Sequence, residues 1–241
     1  MPTILISGAA SGLGAAFLNA YQTEPDVTII AVDRSPILCD SARVEVFQVD
    51  ITDEASGEAL HERIEDRSID LVIHSAGMRG LVPAIEESHP NDVASCETLD
   101  VMTVDTMMRA FQVNALGTFA LLRALLNNLK MSSNAKVIVM ASRMGSIGNN
   151  EVPNKDAGSA YAYRASKAAM NTIVRSLAVD VPEVTFVMCH PGRVETNLVR
   201  CREEGAITAR ESVNDMLRLI PQWTKVDSGK FFDRFGKVIQ W

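Results

Sequence analysis

Thr3-Ile-Leu-Ile-Ser-Gly-Ala-Ala-Ser-Gly-Leu-Gly14 is the stretch that decides the fold. Its first half is an unbroken β-branched and apolar run, the pattern of a strand buried on both faces of a parallel sheet. Behind Ser7 come glycines at 8, 12 and 14. They permit a tight turn, a close backbone approach to a pyrophosphate and close packing of the next helix, whose N-terminus attracts the anion. Ser7, Gly8, Ser11, Gly12, Leu13 and Gly14 are therefore candidate dinucleotide contacts. The spacing is G-x-x-x-G-x-G, not the G-x-G-x-x-G of other dinucleotide folds. A glycine-rich turn without a ligand is the plain alternative, and the position between a strand and a helix argues against it.

Outward from this turn, short apolar runs alternate with helical patterns. Strands are predicted at 3–7, 27–32, 44–49, 69–74, 136–141 and 184–190, and helices at 13–23, 54–66, 103–130, 160–179 and 209–220. Alternation of this kind predicts an α/β fold: a doubly wound parallel sheet with helices on both faces, right-handed crossovers and a ligand crevice at the C-terminal strand ends. Nothing in the 241 residues reads as a linker, repeat or low-complexity tract, so one Rossmann-type domain over 1–241 is expected. The closing aromatics Phe231, Phe232, Phe235 and Trp241 suit a last strand packed on the core.

Composition narrows the function. A net charge of −7 argues against a nucleic-acid partner. The chain shows no secretion signal, and no apolar run approaches the roughly 18 residues of a membrane span. A soluble, cytoplasmic protein is expected. Cys39, Cys96, Cys189 and Cys201 lack metal-ligand spacing and read as reduced thiols, so no metal is expected.

Tyr161-Ala-Tyr-Arg-Ala-Ser-Lys-Ala-Ala-Met170 carries the candidate chemistry. Tyr163 and Lys167 are four apart on a helix face, so the ammonium can approach the phenol and lower its pKa from about 10, making a general acid/base. Chance spacing on a solvated helix is the alternative, and the rest of the chain has to decide.

With the glycine turn and the Tyr-x-x-x-Lys pair in hand, the sequence resembles the short-chain dehydrogenase/reductase family nearly end to end. Asp50-Ile51-Thr52 is similar to the family's adenine-contacting segment, and His74-Ser75-Ala76-Gly77 to its Asn-Asn-Ala-Gly turn. Asn114, Ser142 and His190-Pro191-Gly192-Arg193-Val194-Glu195-Thr196 follow in order. The stretch from Tyr161 to Asn171, the Gly145-Ser-Ile-Gly148 segment and the terminus from Gly229 to Trp241 resemble the C-factor and sniffer-type carbonyl reductase branch. The resemblance implies hydride transfer between a nicotinamide cofactor and an alcohol or carbonyl. Tyr163 would be the general acid/base, Ser142 would hold the substrate oxygen with Ser146 as runner-up, and Lys167 would bond the nicotinamide ribose. Asn114, at a helix irregularity, would hold a relay water through its carbonyl. Pro191, Gly192, Val194 and Thr196 join Ser75, Ala76 and Gly77 as implied cofactor contacts.

Cofactor preference turns on Asp33-Arg34. A carboxylate at the end of the second strand bonds ribose hydroxyls and repels a 2′-phosphate, which favours NAD; Arg34 leaves NADP as the less favoured choice. The sequence departs from the family at His74, read as a turn or core histidine, and in a longer 148–158 stretch expected to border the substrate pocket. Arg143 and Arg193 are candidates for an acidic substrate group, with surface or cofactor-phosphate roles as alternatives. A substrate lid is implied around 197–220. The apolar helices suggest a homo-dimer or homo-tetramer. Alternatives to the oxidoreductase are an NAD-binding regulator or scaffold without catalysis, and non-redox chemistry on the same fold.

Overall fold

The computed structural model describes residues 1–151, 160–201 and 203–241. Seven parallel strands form one sheet in the order β3-β2-β1-β4-β5-β6-β9. They are β1 (Thr3–Ser7), β2 (Thr28–Asp33), β3 (Val44–Gln48), β4 (Leu71–His74), β5 (Lys136–Met140), β6 (Thr185–His190) and β9 (Lys230–Asp233). The chain builds outward from β1 through β2 to β3, then returns to the other side of β1 with β4. That reversal opens a crevice at the C-terminal ends of β1 and β4, the usual ligand position in such sheets.

The apolar runs are explained by two covered faces. Leu5, Ile30, Val32, Val72, Val137 and Val139 point into one core, while Ile4, Ile6, Ile29, Ala31, Ile73 and Ile138 point into the other. Adjacent strand residues face opposite ways, so both parities must be apolar when both faces are buried. The first face is covered by α2 (Glu54–Ile64), α5 (Thr118–Ala124) and α7 (Tyr161–Asp180), and the second by α1 (Gly12–Tyr21) and α8 (Ala209–Leu219). The expected final strand is β9, which pairs in parallel with β6.

The helix predicted over 103–130 is four pieces. α4 (Val104–Phe111) gives way to a π-helical turn, Gln112–Gly117, before α5 and a short α6 (Leu126–Lys130). The irregularity implied at Asn114 is this π turn, a feature concentrated at functional sites. A six-residue α3 (Pro83–Ser88) and a 3₁₀ turn, Ala94–Glu97, fall in a stretch without readable periodicity. β7 (Val194–Glu195) and β8 (Ile207–Thr208) form a small separate parallel pair. Among the described residues, no helix is long and apolar enough to cross a membrane.

Candidate active site

The crevice is a cleft of about 1240 Å³ running past the strand ends. Its cofactor-sized half is built on the glycine turn. Gly8 has φ +71°, and a side chain there would meet the Ala76 amide nitrogen at 2.7 Å, so glycine is what lets the β1 and β4 turns touch. Gly14 lies behind the turn, where a Cβ would stand 2.0 Å from the Gly8 carbonyl oxygen. Its contribution is helix packing rather than direct contact. Ser11 makes no side-chain cap at the start of α1, leaving the first amides directed at the cleft. Gly12, Leu13, Asp33, Arg34, Asp50, Ile51, Ser75, Gly77, Pro191, Gly192, Val194 and Thr196 all line it.

Asp33 is fixed by two backbone amides, Ala10 to Oδ2 at 3.0 Å and Ser35 to Oδ1 at 2.8 Å. Asp50 accepts from the Thr52 hydroxyl at 2.7 Å and its amide at 2.9 Å, and these bonds hold its carboxyl below the usual carboxylate range. The donor set, the glycine cradle and the helix N-terminus fit a nicotinamide dinucleotide.

His74 is buried, with Nδ1 2.7 Å from Ser7 Oγ and Nε2 2.7 Å from Thr118 Oγ1. The Thr118 hydroxyl donates to the Asn114 carbonyl at 2.7 Å, so it accepts from His74, which places the ring proton on Nε2 and leaves Nδ1 to accept from Ser7. Burial, helped by the Lys167 charge, pushes His74 down to about 3. It is a neutral strut between β1, β4 and α5, in keeping with the core role expected for it. Thr118, which completes the strut, gave no sequence signal beyond its place in the helix.

Ser142, Tyr163 and Lys167 meet at the other end of the cleft. Ser142 follows β5, accepts from the Met144 amide at 3.2 Å and lines the cleft beside the Tyr163 phenol. Burial pushes the phenol above its ordinary value, while Arg79 and Ser142 pull the other way. This differs from the downward shift expected from the Tyr163/Lys167 spacing. The reason is the direction of the lysine: Nζ is 5.8 Å from the Tyr163 ring centre and donates to the Met140 carbonyl at 2.9 Å. Burial pushes Lys167 down to about 8, which leaves it mostly protonated at neutral pH. Asn114 is buried below them, holding the β4 loop by accepting from the Met78 amide at 2.8 Å and donating to its carbonyl at 2.9 Å. Its own carbonyl takes the Thr118 hydroxyl.

Among the described residues, the cation closest to the phenol ring is one that sequence reasoning missed. Arg79 Cζ stands 4.8 Å from the Tyr163 ring centre, and Arg79 is joined to buried Glu97 by two 2.8 Å bonds. Ser146, the runner-up oxygen holder, donates instead to the Gln240 carbonyl at 2.6 Å and is tied to the C-terminus. Arg143 lies 3.7 Å from the Asp233 carboxylate, and Arg193 donates to the Glu204 carbonyl at 2.9 Å. Both also line the cleft. Within 197–220, Asn197, Leu198 and Glu203 face the cleft, whereas α8 buries Val213 and Met216 in the core. Of the 148–158 stretch, 152–158 lies outside the described residues.

Residues 2–206 match the short chain dehydrogenase family. The chain belongs to that family. It is 37% identical to C-signal of Myxococcus xanthus over 175 residues, 72% of this chain and 93% of that one. In three dimensions it resembles the NADPH-bound carbonyl reductase from chicken fatty liver, with a TM-score of 0.81 at 25% identity over 100% of this chain and 99% of that one. Carbonyl reductase Sniffer of D. melanogaster gives a TM-score of 0.82 at 22% identity with both chains fully covered. The branch resemblance seen in the motifs agrees with these relatives. As a short-chain dehydrogenase the protein is an oxidoreductase that binds a nicotinamide cofactor.

Proposed function

We propose that the protein reduces a small carbonyl compound, or oxidises the corresponding alcohol, with Tyr163 as the proton donor and acceptor. The observation that carries this reading is the convergence of Ser142, Tyr163 and Lys167 on one cleft, with the Lys167 ammonium 5.8 Å from the Tyr163 ring centre. A carbonyl oxygen received between Ser142 and Tyr163 takes one hydrogen bond from each, so the charge that develops there in the transition state is met by preset donors. The bound nicotinamide supplies or accepts the hydride.

Tyr163 then gives its proton to the oxygen. Because burial holds the phenol protonated at neutral pH, the form needed for reduction is the one present. Lys167, whose ammonium donates to the Met140 carbonyl and lines the cleft, is the residue that would bond the nicotinamide ribose. Asn114 acts through position: its side-chain amide locks the turn after β4, and its carbonyl on the π turn, which takes the Thr118 hydroxyl, keeps a second lone pair that would hold the relay water. Asn197, Leu198 and Glu203, which face the cleft, belong to the lid, with Arg200 3.5 Å from Glu86 of α3. Closing it excludes water from the reacting centre.

NAD is the preferred cofactor in this reading, because the fixed Asp33 carboxylate at the end of β2 meets the adenosine ribose and repels a 2′-phosphate. NADP is the second reading, favoured by Arg34 on the same wall and by the NADPH in the chicken liver enzyme. A homo-dimer through α4 and α5 is supported by exposed Val104, Met108, Phe111, Leu116 and Phe119 on those helices and the turn between them. Light scattering that returns a monomer refutes that assembly.

Titrating NADH and NADPH against wild type and Asp33→Ala by nicotinamide fluorescence tests the cofactor assignment. Tighter NADH binding that the substitution erodes supports NAD, and the reverse preference supports NADP and Arg34. A panel of aldehydes, ketones and quinones then tests turnover, with Tyr163→Phe as control. Loss of about 10³-fold in turnover with cofactor binding kept is expected. Full activity in that variant removes Tyr163 from the chemistry.

A further inference from the structure

Arg79 has no role in the reading above, yet its placement is unusually constrained. Its Nε and Nη2 each donate to a Glu97 carboxylate oxygen at 2.8 Å, and Nη1 lies 3.2 Å from Met144 Sδ. The two side chains are only 10% and 2% exposed. A bidentate pair of this kind fixes the plane of the guanidinium as well as its position. The backbone on both sides is clamped too. Asn114 holds Met78 by both its amide and its carbonyl. Gly80, at φ +77°, leaves no room for a side chain, since a Cβ would meet Ala110 and Ala162 Cβ atoms at 2.9 Å.

Glu97 has a second task. Its carbonyl accepts from the Ala160 amide at 3.0 Å, and Ala160, at φ 43°, is the left-handed residue from which α7 starts. The same residue therefore anchors the helix that carries Tyr163 and the cation that faces the Tyr163 ring. Burying an arginine and a glutamate together is costly and is weak evidence for added stability, so a gain elsewhere is the natural reason for the pair.

We infer that Arg79, held by Glu97, is a positioning residue that fixes the Tyr163 ring and supplies the cation against which its phenolate forms. The inference rests on Tyr163 being the proton donor. Among the described residues, the charged groups around the phenol are Arg79 from the loop after β4, Glu97 from the 3₁₀ turn, Glu203 from the 203–206 stretch and Lys167 from α7. Arg164, on α7 itself, interacts with Arg79 and Glu97. Arg79 lowers the phenol while Glu97 and Glu203 raise it.

That opposition gives a test that damage to the fold cannot imitate. The pH profile of kcat/KM for reduction of 4-nitrobenzaldehyde, or of the fastest carbonyl in the panel, falls at high pH as Tyr163 loses its proton. Glu97→Gln keeps an acceptor for Arg79 but removes the anion, and is expected to move the midpoint down by about one pH unit. Arg79→Met combined with Glu97→Gln removes the cation without leaving a buried charge unpaired, and is expected to move it up by about one unit. Midpoints that stay within about 0.3 of wild type, or that move in the same direction, overturn the inference. Tyr163→Phe keeping full activity, or no turnover by wild type across the panel, refutes the proton-donor reading itself and this inference with it.

Discussion

Acid should destabilise this protein through His74 in a way one substitution can isolate. The ring is buried between Ser7 and Thr118 and is pushed down to about 3, against 6.5 in the unfolded chain. The folded pKa is depressed, so the histidine's contribution is complete above 6.5 and is lost as pH falls towards the folded value. In that window the unfolded chain binds a proton that the folded protein refuses. Each pH unit below 6.5 costs about 1.4 kcal/mol until the folded pKa is reached, so between about pH 7.5 and about pH 4.5 His74 alone removes about 2.5 kcal/mol. Urea denaturation of wild type and His74→Asn at the two pH values measures this as a difference of differences, in which the titrating carboxylates cancel. The variant loses the strut and is less stable at the higher pH, but it should lose about 2.5 kcal/mol less than wild type on acidification. Equal losses within about 0.5 kcal/mol would show that the folded protein accepts the proton, and the neutral-strut assignment would be wrong.

Other substitutions test the packing that shapes the site. Gly14→Ala drives a methyl into the Gly8 carbonyl at 2.0 Å, a backbone overlap no rotamer relieves, and should weaken cofactor binding at least about tenfold by fluorescence titration. Phe186→Ala opens a cavity in the fully buried core under α7 and should cost about 3–5 kcal/mol in urea denaturation. Ser146→Ala removes the tie to Gln240 and the bond from the Asn149 amide, and should cost about 1–2 kcal/mol of stability while leaving kcat/KM near wild type. A large loss of kcat/KM there would return Ser146 to the oxygen-holding role.

Much of the fold was legible because the signals were local. Six of the seven main strands stand within two residues of the predicted ranges, since a strand covered on both faces must be continuously apolar. The weaker places have definite causes. The 103–130 helix breaks because its π turn depends on contacts to Met78 and His74 that lie far off in sequence. α3 and the 3₁₀ turn are too short to show a period. Ser142 and Ser146 look alike in sequence, and only the path of the C-terminal residues separates them, by giving Ser146 to Gln240.

The sequence by itself determined the order of strands and helices, the glycine turn at the first crevice and the arrival of Tyr163 and Lys167 on one helix face, because periodicity and spacing are properties of neighbouring residues. The tertiary structure decided where the charges around the phenol lie. Helical spacing brought Lys167 near Tyr163, but the Met140 carbonyl turned its ammonium aside. Arg79 and Glu97, 18 positions apart, met over the same ring through loops that carry no period. A buried charge goes to the partner that can satisfy it, and which partner is within reach is fixed only when distant segments have packed.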